Sequence, residues 1–87
     1  MIEIKKSTHS GKKYMAFYNN KWIHFGDLNY QHFRDSTPLK LYSFLDHNDE
    51  KRRKSYLARA MGIKDKQGNL TYNNKNSSNY WSVHFLW

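Results

Sequence analysis

The sequence predicts an α+β fold, with an N-terminal antiparallel β-meander of two or three strands packed on two or three helices. Three observations carry that expectation. The first quarter of the chain is rich in strand formers at near-alternating spacing. The middle places helix start and stop residues around apolar positions three and four apart. Aromatic side chains are abundant, with seven Tyr, five Phe and three Trp. A few buried rings, each removing about 150–250 Å² from water, can build a core where aliphatic residues are scarce.

The elements follow in order. Ile2-Glu3-Ile4-Lys5 alternates apolar and polar, and Ser7 to Gly11 holds turn residues. Lys13 to Tyr18 is a second strand, and Asn19-Asn20 is a two-residue hairpin turn, since Asn tolerates positive φ. Lys21 to Phe25 is a third strand, ended by Gly26-Asp27, with Gly26 expected in a conformation closed to residues bearing a Cβ. Tyr30 and Phe33, three apart, suggest a helical turn. Ser36-Thr37-Pro38 reads as a start signal for a helix with Leu41, Phe44 and Leu45 on one face. Asp46-His47-Asn48-Asp49 offers a further cap for a helix from Glu50, whose stripe holds Tyr56, Leu57, Ala60 and Met61. Gly62 stands where a left-handed C-terminal cap is expected. Lys64 to Lys75 is loop-like, with Gly68-Asn69 at its tip. Tyr80 to Trp87 fits either a strand or a helix; Ser77 or Ser78 as a cap favours the helix, and Phe85-Leu86-Trp87 should dock on the core.

Composition bounds the function. A chain of 87 residues and 10.6 kDa reads as one small domain over 1–87. Fifteen Lys and Arg against seven acids give a charge of +8, which points to a polyanionic partner. The absence of Cys excludes disulfides, Cys-zinc sites and thiol nucleophiles. The N-terminus lacks an apolar signal region and no stretch suits a membrane span, so the expectation is a soluble, unsecreted protein with no membrane partner. No motif calls for a cofactor.

The main candidate site is the basic run Lys51-Arg52-Arg53-Lys54 with Arg59. Arg52 and Arg59 lie seven apart and share a helical face, and guanidinium forks fit phosphate oxygens bidentately. Lys12, Lys13 and Lys21 are secondary candidates. The competing reading is a solvated helix surface, with Arg53 or Lys54 paired to Asp49 or Glu50. Tyr14, Phe17, Tyr18 and Trp22 lie among the strand lysines, either as core or as a stacking platform for unpaired bases. The five histidines show no metal-ligand spacing. His47, Asp49 and Asp35 are the residues a metal-dependent nuclease would use, and His24 with Asp27 is a second such pairing.

Taken in order, several of these motifs resemble a known group. His24-Phe25-Gly26-Asp27, Tyr30, Phe33-Arg34-Asp35, Asp46-His47-Asn48-Asp49 with Arg52-Arg53, Tyr56 and Arg59, Tyr80-Trp81-Ser82 and the closing Leu86-Trp87 look like a family of small basic uncharacterised proteins. That family is encoded by tailed phages and large eukaryotic DNA viruses. Members with His directly after the position of Arg59 differ from this chain, which has Ala60. The resemblance implies a viral origin and a location in the infected host cell or the virion, and little chemistry.

The expected function is thus a non-enzymatic viral protein that binds nucleic acid, DNA ahead of RNA, through a Lys/Arg surface and largely independent of sequence. The alternatives are a virion structural protein whose basic face meets an acidic protein surface and, third, the nuclease.

Overall fold

The computed structural model describes residues 3–87. Strands β1 (Glu3–Lys6), β2 (Lys12–Tyr18) and β3 (Lys21–Asp27) form an antiparallel sheet in the order β1-β2-β3. They are followed by a short 3₁₀ turn (Ser43–Leu45) and the helices α1 (Glu50–Ala60) and α2 (Ser78–Phe85). The α+β expectation with an N-terminal meander therefore holds. Ile2, read as part of the first strand, lies outside the described residues.

The hairpin turn joining β2 to β3 has Asn19 at φ 54° and Asn20 at φ 63°. Two successive left-handed residues make the turn whose twist matches that of the strands it joins. The register Ala16↔Ile23 and Tyr14↔Phe25 turns these four residues to one face, where all are buried. Helix α2 covers that face. Trp81, fully buried, stands 6.4 Å from Phe25 and 6.2 Å from Tyr18, and stacks on Phe85 at 5.9 Å. Rings do supply the core. Phe17 and Trp22 point the other way and pack on each other at 5.0 Å on the uncovered face of the sheet.

The helices start where their caps predict. Asp49 accepts hydrogen bonds from the amides of Lys51 and Arg52, and Ser77 from the amide of Asn79. The C-terminal segment is thus helical, and Leu86 is buried after it. The carbonyl of Leu86 accepts from the amides of Phe33 and Arg34, and that of Phe85 from Ser36. Gly62 is not left-handed. The last turn instead tightens, with the Gly62 amide on the Arg59 carbonyl and the Ile63 amide on Ala60, so the chain leaves α1 right-handed. Met61 is exposed, and Ala60 is the buried member of the α1 stripe.

Residues 28–49 depart most from expectation. The helical turn around Tyr30 and Phe33 is absent, because the Asp27 side chain accepts the Asn29 amide and closes a local turn. The helix expected after Pro38 is reduced to the 3₁₀ turn. The Asp35 carboxylate takes the helix-forming donors for itself: it accepts from the Thr37 amide (3.0 Å) and hydroxyl (2.6 Å), the Tyr42 amide (3.1 Å) and the Tyr14 hydroxyl. Lys40 at φ 48° then reverses the chain. Leu41 and Phe44 are left exposed and Leu45 is half-buried, so the expected apolar helix face does not exist.

Burial raises the Asp35 carboxyl, but the hydrogen bonds from Thr37, Tyr14 and Tyr42 outweigh it and hold it below the ordinary value of 3.8. Its contribution to stability is therefore complete above about pH 4 and is lost as pH falls through the lower folded value. Replacing Asp35 by Ala strands several buried donors and should cost at least about 3 kcal/mol, measured by urea unfolding at neutral pH. A loss under about 1 kcal/mol would mean that water satisfies these donors.

Gly26 has φ 80°, and a Cβ there would stand 2.9 Å from Leu86 Cδ1 and 3.1 Å from the Lys13 side chain. Gly26→Ala should destabilise by about 2–4 kcal/mol, combining left-handed strain with overpacking. A stability gain in the same unfolding assay would contradict this assignment.

Candidate functional site

Between the open end of the β2–β3 hairpin, α1 and α2 lies a cleft of about 700 Å³. Capping by Asp49 fixes the start of α1, so that Lys51, Arg52, Ser55, Tyr56 and Arg59 recur at helical spacing and all reach the cleft. Lys12 and Lys13 line the facing wall from the start of β2. Five of the eight cations predicted from the sequence thus come together, although the two groups are 38 or more positions apart along the chain. Asp27 is the acid among the lining residues, and its carboxylate already accepts the Asn29 amide.

The ion pairs among the described residues are Lys5–Glu3 and Arg53–Glu50, while His32 and Asp46 share a hydrogen bond. Lys12, Lys51, Arg52 and Arg59 take part in none of them. Arg52 is oriented by Gln31, whose side-chain oxygen accepts from its guanidinium at 2.9 Å. Tyr56 stacks on Trp87 at 4.0 Å with the planes 9° apart, forming an aromatic wall of the cleft. Burial raises the Tyr56 hydroxyl pKa, while the nearby positive charge of Arg59 pulls it down.

Lys13 does not act as a free surface cation. It is 1% exposed, and its ammonium donates to the Tyr30 carbonyl at 2.8 Å and to His32 Nδ1 at 2.9 Å. Because lysine only donates, His32 Nδ1 is the acceptor and Nε2 carries the proton. That Nε2–H donates to Asp46 at 2.5 Å, and the same carboxylate oxygen accepts the Asp35 amide at 2.9 Å. Burial and the charge of Lys13 lower the His32 pKa, against the pull of Asp46 and Asp35. Burial also drives the Lys13 amine down to about 8, against the attraction of Asp27, Asp35 and Asp46.

The other three predicted cations stand elsewhere. The Arg53 Nε–H donates to the main-chain oxygen of Trp87 at 2.8 Å, its guanidinium lies 5.0 Å from the Phe33 ring centre, and it pairs with Glu50 at 3.6 Å. It therefore clamps the C-terminal segment to α1, and the i,i+3 pairing weighed from the sequence is present. Lys54 is exposed and does not line the cleft. Lys21 is exposed at the hairpin tip, opposite Tyr18, about 20 Å from the Lys12 end of the ladder at strand rise.

The residues weighed for a nuclease do not converge. Asp35 is enclosed by its own donors, Asp49 caps α1, and His47 Nδ1 accepts the Asp49 amide at 2.9 Å. His24 is bonded to Ser7 at 2.7 Å and stacked on His9, while Asp27 faces the cleft. Among the described residues no group of three His, Cys, Asp or Glu side chains is placed to hold a metal ion, and no helix is long and apolar enough to cross a membrane.

Sequence reasoning missed Gln31, the Tyr56–Trp87 stack and the Lys13–His32–Asp46 chain. Their partners are 14 to 31 positions apart, so no local periodicity announces them.

These features define a small α+β domain built around a cationic cleft. The chain belongs to a family of unknown function, DUF5754, which matches residues 2–60. The match takes in the sheet, the irregular segment and α1, and so the cationic walls of the cleft; the wall made by α2 and Trp87 follows it. Comparison with curated proteins and with solved structures finds no match.

The Lys13 amine should titrate near pH 8, well below the usual 10.5, when followed by its Cε resonance in NMR. Folding opposes its charge, so the folded state binds fewer protons than the unfolded chain between about pH 8 and 10.5. This group's penalty is complete below pH 8 and is relieved as pH rises through that window. A midpoint near 10.5 would show the amine to be hydrated.

Proposed function

We propose that the protein binds nucleic acid, DNA ahead of RNA, by receiving backbone phosphates in the cationic cleft, largely without regard to base sequence. The observation that carries this reading is the gathering of Lys12, Lys51, Arg52 and Arg59, none of them in an ion pair, around a cleft with one acid. Like charges held together raise the free energy of the empty protein, and an anion entering the cleft relieves that repulsion. Arginine forks take phosphate oxygens two at a time, while the lysines act as point charges. The overall charge of +8 extends the attraction beyond the cleft. Phosphate contacts confer affinity without base information, which is why sequence independence is part of the proposal. The setting we infer from the order of the sequence motifs is viral, in the infected host cell or inside the virion.

With about four phosphate contacts, log affinity for duplex DNA should fall against log salt with a slope of about −3 to −4. Replacing Arg52 and Arg59 together by Gln should flatten that slope by up to about two units and weaken different sequences alike. Both side chains are exposed, so the fold should survive the change. Fluorescence anisotropy at several salt concentrations measures this. Absence of duplex and single-strand binding at low salt would overturn the reading in favour of an acidic protein surface as partner; an unchanged slope would move the phosphates away from the cleft.

A further inference from the structure

The cleft differs from a flat phosphate-binding face in its shape and in one aromatic residue at its wall. Its volume of about 700 Å³ lies in the range of pockets that enclose a small molecule. A duplex is a stiff rod that meets only the rim of such a cavity. A single strand has rotatable bonds enough to lay a nucleotide inside it.

The aromatic residue is Tyr30. Of the rings lining the cleft, Tyr56 and Trp87 are stacked on each other, and Phe25 is buried in the core. Tyr30 is 68% exposed, and no aromatic ring of the described residues packs on it. Yet its backbone is held at both ends: its amide donates to the Asp27 carbonyl at 3.2 Å, and its carbonyl accepts from the buried Lys13 amine at 2.8 Å. The next residue, Gln31, orients Arg52. A free ring face is thus anchored one residue from the group that positions a phosphate-binding arginine, and base–aromatic stacking tolerates any base. Lys13, a costly buried cation, thereby secures the backbone that presents the ring.

We propose that the cleft takes an unpaired nucleotide of a single strand, with phosphate among Lys12, Arg52 and Arg59 and the base stacked on Tyr30. This rests on the nucleic-acid reading above and adds strandedness to it.

The test compares labelled oligothymidylate with a duplex of the same length, using the unaltered protein, Tyr30→Ala and Tyr30→Phe. The single strand should bind the unaltered protein at least about fivefold more tightly. Tyr30→Ala should lose about 5- to 100-fold in affinity for the single strand and leave duplex binding within about twofold, while Tyr30→Phe keeps the ring and the affinity. Single-strand binding untouched by Tyr30→Ala, or a loss shared equally by the duplex, overturns this proposal while the phosphate reading stands. Failure of both nucleic acids to bind the unaltered protein at low salt overturns both.

Discussion

A pair of adjacent residues on β2 holds the irregular middle of the molecule in place. Lys13 and Tyr14 are consecutive, yet each is anchored by a different buried polar partner. The Lys13 amine reaches Tyr30 and His32, and the Tyr14 hydroxyl reaches Asp35 while accepting the Leu41 amide. Asp46 joins the two branches by accepting from both His32 and the Asp35 amide. Residues 28–46 contain no α-helix or strand of their own, so these contacts stand in for the missing backbone ladder. Through them the sheet dictates where Tyr30 and Gln31 sit, and where the chain enters α1.

Such a network helps only when it is complete. Buried polar groups and charges are costly without partners and become strong, directional ties when every donor is met. The displaced pKa values record both effects. Lys13 is pushed down by burial, whereas hydrogen bonds hold Asp35 down against burial. The Tyr14 hydroxyl, raised to about 12 by burial and the neighbouring Asp35 carboxylate, stays protonated and remains a donor throughout the physiological range. Apolar packing lies beside this network rather than around it. Trp81 and Leu86 complete the face begun by Tyr14, Ala16, Ile23 and Phe25, and full burial of a side chain such as Leu86 contributes about 1.5–3 kcal/mol.

The cleft is a consequence of both layers. The apolar face places α2 on the sheet, the polar network brings the chain round to start α1, and the Arg53 contacts with Trp87 and Phe33 close the C-terminal segment against α1. What remains between these surfaces is lined by cations that the fold does not neutralise. One guanidinium of the basic run is used for structure and the next for the cleft, since consecutive residues on a helix point about 100° apart. A charge run read as one unit therefore divides into residues with different work.

How much of this was legible depended on the range of the interaction. The sequence by itself determined the meander, the Asn19-Asn20 turn and the left-handed Gly26, and narrowed the helix caps to Asp46–Asp49 and to Ser77 or Ser78, because each follows from backbone sterics or from hydrogen bonds within a few residues. It also determined that cations would gather on α1, since 3.6-residue periodicity sets which of them share a face. Tertiary structure alone decided that Ser36–Leu45 would not become a helix: Asp35, met by Tyr14 from another element, captures donors that local propensity assigns to a helix. It decided too that Lys13 would be buried and Arg53 engaged, while Lys12 would face Arg52 and Arg59 across a cleft. Those outcomes depend on desolvation and on partners far along the chain, and both are settled only when the elements pack.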